Sequence, residues 1–432
     1  MGHHAVSTLA APAASGRIAA TPSATAAASE PVIVRDQIPH ITVHAIHATS
    51  GVRAVLEGVI RDRRLMRAQV KLQDGGLTAA LALYREQSTP HCLIVECVGD
   101  HDQLLLDLDA LAEFCDPKTS VIVIGHVNDI GLYRALMDRG VAEYIVPPFE
   151  PLTVIASIAR LFGSPETGRL GQVFAFIGAK GGVGSSTVAQ NVAWAQASGG
   201  DSDVMLADLD LPFGASTLAF NIEGAHGAAD AVRDAARLDD TLLERLLTRR
   251  GAHMTVLASP ATLDEDGELR TDAVEKVLSV AQRNLPFVFL DLPHVWSGWT
   301  RTLLLRADQI VVTSTPCIAG MRNAVSLIDA LKKARPNDPP PRLALNQTGV
   351  GKRSEVGVAD IETVLQAAPA CVLDFDPRLY SMAENRGLMI EELEPKGKAA
   401  RQFRALAQSL TGARGQKEAS RQGFSLARLF RL

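Results

Sequence analysis

The stretch Phe174-Ala-Phe-Ile-Gly-Ala-Lys-Gly-Gly-Val-Gly-Ser-Ser-Thr-Val-Ala-Gln-Asn-Val-Ala-Trp194 decides the fold. An apolar run, a cluster of glycines, hydroxyl residues and then apolar residues at helical spacing read as a strand, a tight loop and a helix. Gly181, Gly182 and Gly184 let the backbone turn with positive φ and bring N–H groups to an anion, at which the following helix points its positive end. Gly178 and Val183 belong to the same turn, which reads as a nucleotide phosphate site. Ser186, followed by Thr187, stands where such a loop places a hydroxyl for Mg²⁺.

An ordinary loop of this kind ends Gly-Lys-Ser/Thr. Here Ser185 follows Gly184, so the lysine that reaches the outer phosphates is missing, and Lys180 stands at the start of the loop instead. The string Lys-Gly-Gly-Val-Gly-x-x-Thr resembles the deviant Walker A of the MinD/ParA family, in which this first lysine reaches across a dimer interface to the partner's nucleotide. The form without the second lysine looks most like the CpaE/TadZ branch, the pilus-assembly relatives of MinD. The resemblance implies ATP and Mg²⁺ as cofactors, with Lys180 acting across an ATP-dependent homodimer.

Downstream, Asp203-Val-Met-Leu-Ala-Asp-Leu-Asp210 is a buried strand ending in two aspartates spaced i, i+2, which point the same way at its carboxyl end. Ligands collect there in open α/β sheets. In the family this place is the first switch, so Asp208 and Asp210 become candidates for organising Mg²⁺ and positioning an attacking water; solvated strand-end charges are the plain alternative. Pro286-Phe-Val-Phe-Leu-Asp-Leu-Pro293 repeats the pattern. It looks like Walker B, with Asp291 for the metal and Pro293 in the family's Asp-x-Pro switch. Trp296 and Trp299 follow, either in a segment that moves with the nucleotide or packed on the core. Gln309–Pro316 is a further buried strand, with Arg322 in the helix after it. Leu343-Ala-Leu-Asn-Gln-Thr348 ends a strand in Asn346, whose amide can both donate to and accept from an adenine edge; a turn residue is the other reading. Asp374–Leu388 resembles the family's late base-contacting loop and helix.

Ahead of this region, from about Ile41, short β-rich runs (41–46, 69–72, 92–95, 121–124, 144–146) alternate with helical segments (52–61, 77–86, 104–114, 130–138, 152–162). The expected fold class is therefore α/β with two doubly wound domains. The first is receiver-like, or flavodoxin-like, and the second a MinD/ParA-type P-loop NTPase. Ala142–Leu152 resembles the last strand and turn of response-regulator receivers, but the chemistry is absent. The positions of the acidic pair, acceptor aspartate, hydroxyl and lysine hold His47 and Ala48, Glu96, Gly125 and Pro147. Without the acidic pair nothing holds the metal that neutralises an incoming phosphoryl group, so a docking or dimerisation surface is expected in place of phosphotransfer, with a purely structural appendage as the other reading.

The expected domains are an Ala/Pro-rich disordered segment over 1–36, the pseudo-receiver over 37–163, a polar linker over 164–172, the ATPase domain over 173–412 and a basic tail over 413–432. The 432 residues, 47% hydrophobic and 21% charged, suit an ordinary soluble two-domain protein. A formal net charge of −5 gives no general attraction to nucleic acid, which is not an expected partner. The five scattered cysteines show no zinc spacing and suit a reducing cytoplasm. No run is long enough for a membrane span, and the start lacks a signal-peptide pattern. In Phe424–Leu432, Leu426, Leu429 and Phe430 share one helical face opposite Arg428 and Arg431; a weak membrane anchor, a docking peptide and a frayed end are the readings.

The expected function is an ATP-binding, dimerising localisation or scaffold protein for Tad/Flp-type pilus assembly. It would recruit components such as the secretion ATPase at the cytoplasmic face of the inner membrane or at a cell pole, with hydrolysis slow or partner-dependent. The alternative is a cycling MinD/ParA-type ATPase acting on membrane or nucleoid.

Overall fold

The structure, a computed structural model, describes residues 38–99, 101–163, 170–200, 202–223, 226–259, 269–351 and 353–421, with side chains described except at 101 and 413–421. The expected Ala/Pro-rich segment at 1–36, residues 164–169 of the expected linker and the tail motif at 424–432 lie outside the described residues.

Five strands form the first sheet: β1 Thr42–His47, β2 Gln69–Asp74, β3 Cys92–Cys97, β4 Ser120–Gly125 and β5 Glu143–Ile145, in the order β2-β1-β3-β4-β5 with every neighbouring pair parallel. Parallel strands with helices on both faces must be apolar on both faces. In β3, Cys92 and Ile94 enter one core while Leu93, Val95 and Cys97 enter the other. Short polar side chains start the intervening helices: Thr49 accepts from the Val52 N–H before Ser50–Ile60, and Asp129 from Leu132 before Ile130–Asp138. The order and the two covered faces are those of a receiver-like domain.

At the carboxyl end of β3, where a receiver carries its acceptor, Glu96 is fully enclosed. Its carboxylate accepts from Ala48 N at 2.6 Å, Thr49 N at 2.8 Å, Thr49 Oγ1 at 2.7 Å and His126 Nε2 at 2.9 Å. These bonds outweigh burial and hold its pKa below the ordinary value. Glu96 thus ties the loops after β1 and β4 to β3. Incubation with acetyl phosphate and Mg²⁺ is expected to leave the domain unlabelled by phosphate-affinity electrophoresis. Glu96→Ala strands buried donors and is expected to cost about 2–3 kcal/mol in urea unfolding.

Eight strands form the second sheet: β6 Gln172–Gly178, β7 Val204–Asp208, β8 Thr248–Arg249, β9 Met254–Leu257, β10 Phe287–Leu292, β11 Gln309–Ser314, β12 Arg342–Thr348 and β13 Cys371–Asp374. Their order is β13-β12-β11-β6-β10-β7-β9-β8, parallel except for the short edge strand β8. In β6, Val173, Ala175 and Ile177 face one core, and Phe174 and Phe176 the other, where Phe174 packs on Phe289 with ring centroids 4.8 Å apart. The chain leaves β6 toward β7 and later returns to its other side with β11. The switch in direction therefore opens a crevice at the carboxyl end of β6, where the glycine loop lies.

Candidate functional site

The loop after β6 runs from Gly178 to the helix Ser185–Ser198, whose N-cap is Gly184. Gly182 and Gly184 have φ of 74° and 81°. A Cβ on Gly178 would stand 2.9 Å from Val183 Cγ2 and 3.0 Å from Lys180 O, and one on Gly184 would stand 2.5 Å from Asn346 Nδ2. Glycine is thus required twice over, for backbone conformation and for space. Side chains from outside the loop fix it, among them Gln347, whose Nε2 donates to Gly182 O at 3.2 Å. Asn346 Nδ2 donates to Val183 O at 2.8 Å, Asn323 Nδ2 to Ala179 O at 3.1 Å and His294 Nδ1 to Gly178 O at 2.7 Å. Asn346 Oδ1 also accepts from Gln347 N at 2.9 Å, so one amide N–H and one lone pair remain for a ligand. Ser185 Oγ is buried with no hydrogen-bond partner, and half-buried Lys180 has no hydrogen bond or ion pair among the described residues.

Register brings the acidic residues together. β10 lies between β6 and β7, and Asp291 pairs with Asp208, so two buried carboxylates stand side by side at the carboxyl edge. Asp208 accepts from Asp210 N and Ser216 N, both at 3.1 Å, while Asp210 accepts from Phe213 N at 3.3 Å. Ser186 hydrogen-bonds Asp291, whose Oδ1 has no partner. Burial first, and then the neighbouring Asp208 charge, push the Asp291 pKa well up; burial dominates at Asp208 as well, pushed up to about 6, and raises Asp210.

On the other flank a cavity of about 140 Å³ is lined in part by Gly184, Thr187, Asn346, Phe375, Pro377 and Tyr380. The loop after β13 therefore reaches the glycine loop. Tyr380 places a buried hydroxyl without a partner in this wall, and Phe375 is half exposed beside it. Sequence reasoning did not single out Tyr380, Phe375 or His294; His294 directly follows Pro293, a place where that signal could have been sought. The two tryptophans divide: Trp299 packs into the core, whereas Trp296 is 54% exposed. Phe213 at 75%, in the loop after β7, and Ile318 at 81%, the first residue of the helix after β11, join it at the same edge of the sheet. Arg322 turns to its neighbour Asn323, at 3.2 Å.

Glycine-framed N–H groups at a helix start, an orphaned serine hydroxyl and a buried carboxylate oxygen lacking any donor suit a phosphate-bound divalent cation. Among the described residues no group of three or more His, Cys, Asp or Glu forms a metal cage. Ser186, Asp291 and Asp208 would hold such a cation only with phosphate oxygens and water completing its shell. A bound Mg²⁺ would neutralise the terminal phosphates. The protein's own share would be to orient the anion by backbone N–H groups.

No protein-family profile matches the chain. Over 251 residues it is 23% identical to the septum site-determining protein MinD of Bacillus subtilis, covering 56% of this chain and 90% of that one. MinD of Pyrococcus horikoshii, solved in complex with Mg-ADP, superposes with a TM-score of 0.50 at 18% identity, over 57% of this chain and 98% of the other, which is a likeness of fold. The pilus assembly protein CpaE of Caulobacter crescentus is 45% identical over 98% of its solved chain and 30% of this one, with a TM-score of 0.29. Carried by that identity rather than by the superposition, and in keeping with the MinD-like second domain, the assignment is that the chain belongs to the CpaE branch of the MinD/ParA family.

Proposed function

We propose that this protein is an ATP-dependent dimer that serves as a localisation scaffold for Tad/Flp-type pilus assembly, recruiting secretion components at the cytoplasmic face of the inner membrane. The observation that carries the reading is Ser185, directly after the glycine loop, whose buried Oγ has no hydrogen-bond partner where a catalytic loop has its lysine. A lysine on the phosphates makes charge-assisted hydrogen bonds worth about 1.5–3 kcal/mol each, and more where charge develops in the transition state. A serine offers one neutral bond. Binding survives on backbone N–H groups and the cation, while turnover suffers. Lys180, with no partner in its own chain among the described residues, is the group that reaches a second copy's nucleotide, and the exposed Phe213, Trp296 and Ile318 supply apolar surface around the mouth.

Light scattering in Mg²⁺ is expected to give twice the ADP-state mass with ATP, and Lys180→Ala is expected to remain monomeric in both. Equal masses with the two nucleotides would remove the dimer from the account. Ser185→Lys is expected to raise steady-state turnover at least tenfold, roughly the 1.4 kcal/mol of one added charged contact. Wild-type turnover already at the level of that variant, at concentrations above dimerisation, would favour a cycling ATPase instead.

A further inference from the structure

At the amino edge of the second sheet, opposite the glycine loop, a closed ionic cluster joins the receiver-like domain to the ATPase domain. Arg63 and Arg64, in the turn after the helix Ser50–Ile60, both reach Asp338: Arg63 Nε at 2.8 Å and Arg64 Nη2 at 2.7 Å. Arg335 Nε adds a third contact to Asp338 at 3.3 Å, and Asp62 holds Arg64 at 3.0 Å. Asn337 Nδ2 donates across to Gly58 O at 3.2 Å and Asp62 Oδ2 at 2.9 Å. The side chains of Asp62, Asp338 and Arg335 are 2%, 3% and 2% exposed, and those of Arg63 and Arg64 10%. Such a contact is interior in character and resists sliding.

What the cluster grips gives it consequence. Arg63 Nη1 donates to Arg306 O at 2.7 Å, the last residue of the helix Gly298–Arg306, whose other end follows the His294–Trp296 segment. Arg335 and Asp338 lie just beyond the helix Ile318–Ala334, whose first turns carry Asn323 on Ala179 O. Arg63 also stands 3.5 Å from Asp308, whose other oxygen accepts from Val173 N at the start of β6. Three rigid elements therefore run from the cluster to the glycine loop. The longest is a helix of 17 residues, roughly 25 Å at 1.5 Å per residue.

We propose that the receiver-like domain is a fixed clamp on the nucleotide site, holding the far ends of the elements that shape the loop, so that its attachment sets nucleotide affinity and nucleotide binding in turn tightens its attachment. The proposal rests on the reading of the site as nucleotide-binding. Reciprocity follows from linkage, and a coupling of this kind changes affinity by about fivefold or more.

The test uses the full chain with a fluorescent ATP analogue and Mg²⁺, together with hydrogen exchange. In wild type, saturating ATP is expected to slow amide exchange at 58–68 and 304–308, which no ligand touches. Arg63→Ala, checked for folding by circular dichroism, is expected to shift affinity about fivefold and abolish that protection, with Arg63→Lys intermediate. Wild-type binding with unchanged exchange in those segments overturns the clamp, as does wild-type affinity in Arg63→Ala. If Arg63→Ala does not fold, Arg63→Lys and the wild-type exchange data decide. Absence of any binding by wild type instead overturns the nucleotide reading itself.

Discussion

Asp291→Asn is expected to make the nucleotide-free protein more heat-stable while removing its Mg²⁺-dependent affinity for ATP. Asp291 is buried beside Asp208, with one oxygen lacking any donor. A carboxylate so placed is destabilising until a cation arrives. Asparagine keeps an acceptor for Ser186 and removes the charge. Asp208 shows the scale: raised from 3.8 to about 6, it makes ionisation cost about 3 kcal/mol at 1.36 kcal/mol per unit. The sign follows from proton binding. The folded state holds the proton more tightly than the unfolded chain, so nucleotide-free stability is highest below pH 3.8 as far as this group goes. It falls as pH rises through about 6. Relief of even part of such a penalty is expected to raise the thermal midpoint of the variant by about 5 °C at neutral pH. Differential scanning calorimetry without and with Mg-ATP reads both halves: a higher midpoint without nucleotide, and no further rise with it. A lower midpoint in the nucleotide-free variant would mean that the carboxylate is stabilising as it stands.

The second large effect is expected at Asp338. Its carboxylate is enclosed, with Arg63 first among the charges that hold its pKa down at about 2 despite burial, ahead of Arg335 and Arg64. Asp338→Ala leaves Arg63, Arg64 and Arg335 without their common partner, a change that costs about 3–5 kcal/mol when a buried pair is broken. Here the sign is the reverse. With a folded pKa below the ordinary 3.8, the stabilisation is complete above that value and disappears as pH falls toward 2, an acid-sensitive contribution of about 2 kcal/mol. Urea unfolding at pH 7 is expected to show the full loss in the variant, and its difference from wild type is expected to shrink at pH 2.5. A variant within 1 kcal/mol of wild type at pH 7 would contradict the ionic account of this contact.

The sequence made some of this legible and concealed the rest for physical reasons. Strands buried on both faces announce themselves as short β-branched runs, so Cys92–Val95 falls within β3 and Val121–Ile124 within β4. The glycine loop is legible because positive φ and close approach leave few residue choices, and Asp208 and Asp291 because a charge at the end of an apolar run has few other reasons to be there. Asp338 was not legible. It lies 275 residues from Arg63, and each sits in an ordinary polar turn whose partner is set by how the domains meet. Glu96 was placed at the acceptor position of a receiver, but its four donors come from the loops after β1 and β4, which only the fold brings together. Asn346 shows the limit most clearly. The reading offered its amide to a base, and in the folded chain that amide also holds the glycine loop through Val183 O.

The most direct measurement is isothermal titration of the full-length protein with ATP in the presence of Mg²⁺. Saturable binding of one nucleotide per chain is expected, abolished in Asp291→Asn and retained in Ser185→Lys. Absence of binding by the wild-type protein up to millimolar ATP would contradict the claim that this glycine loop takes an adenine nucleotide.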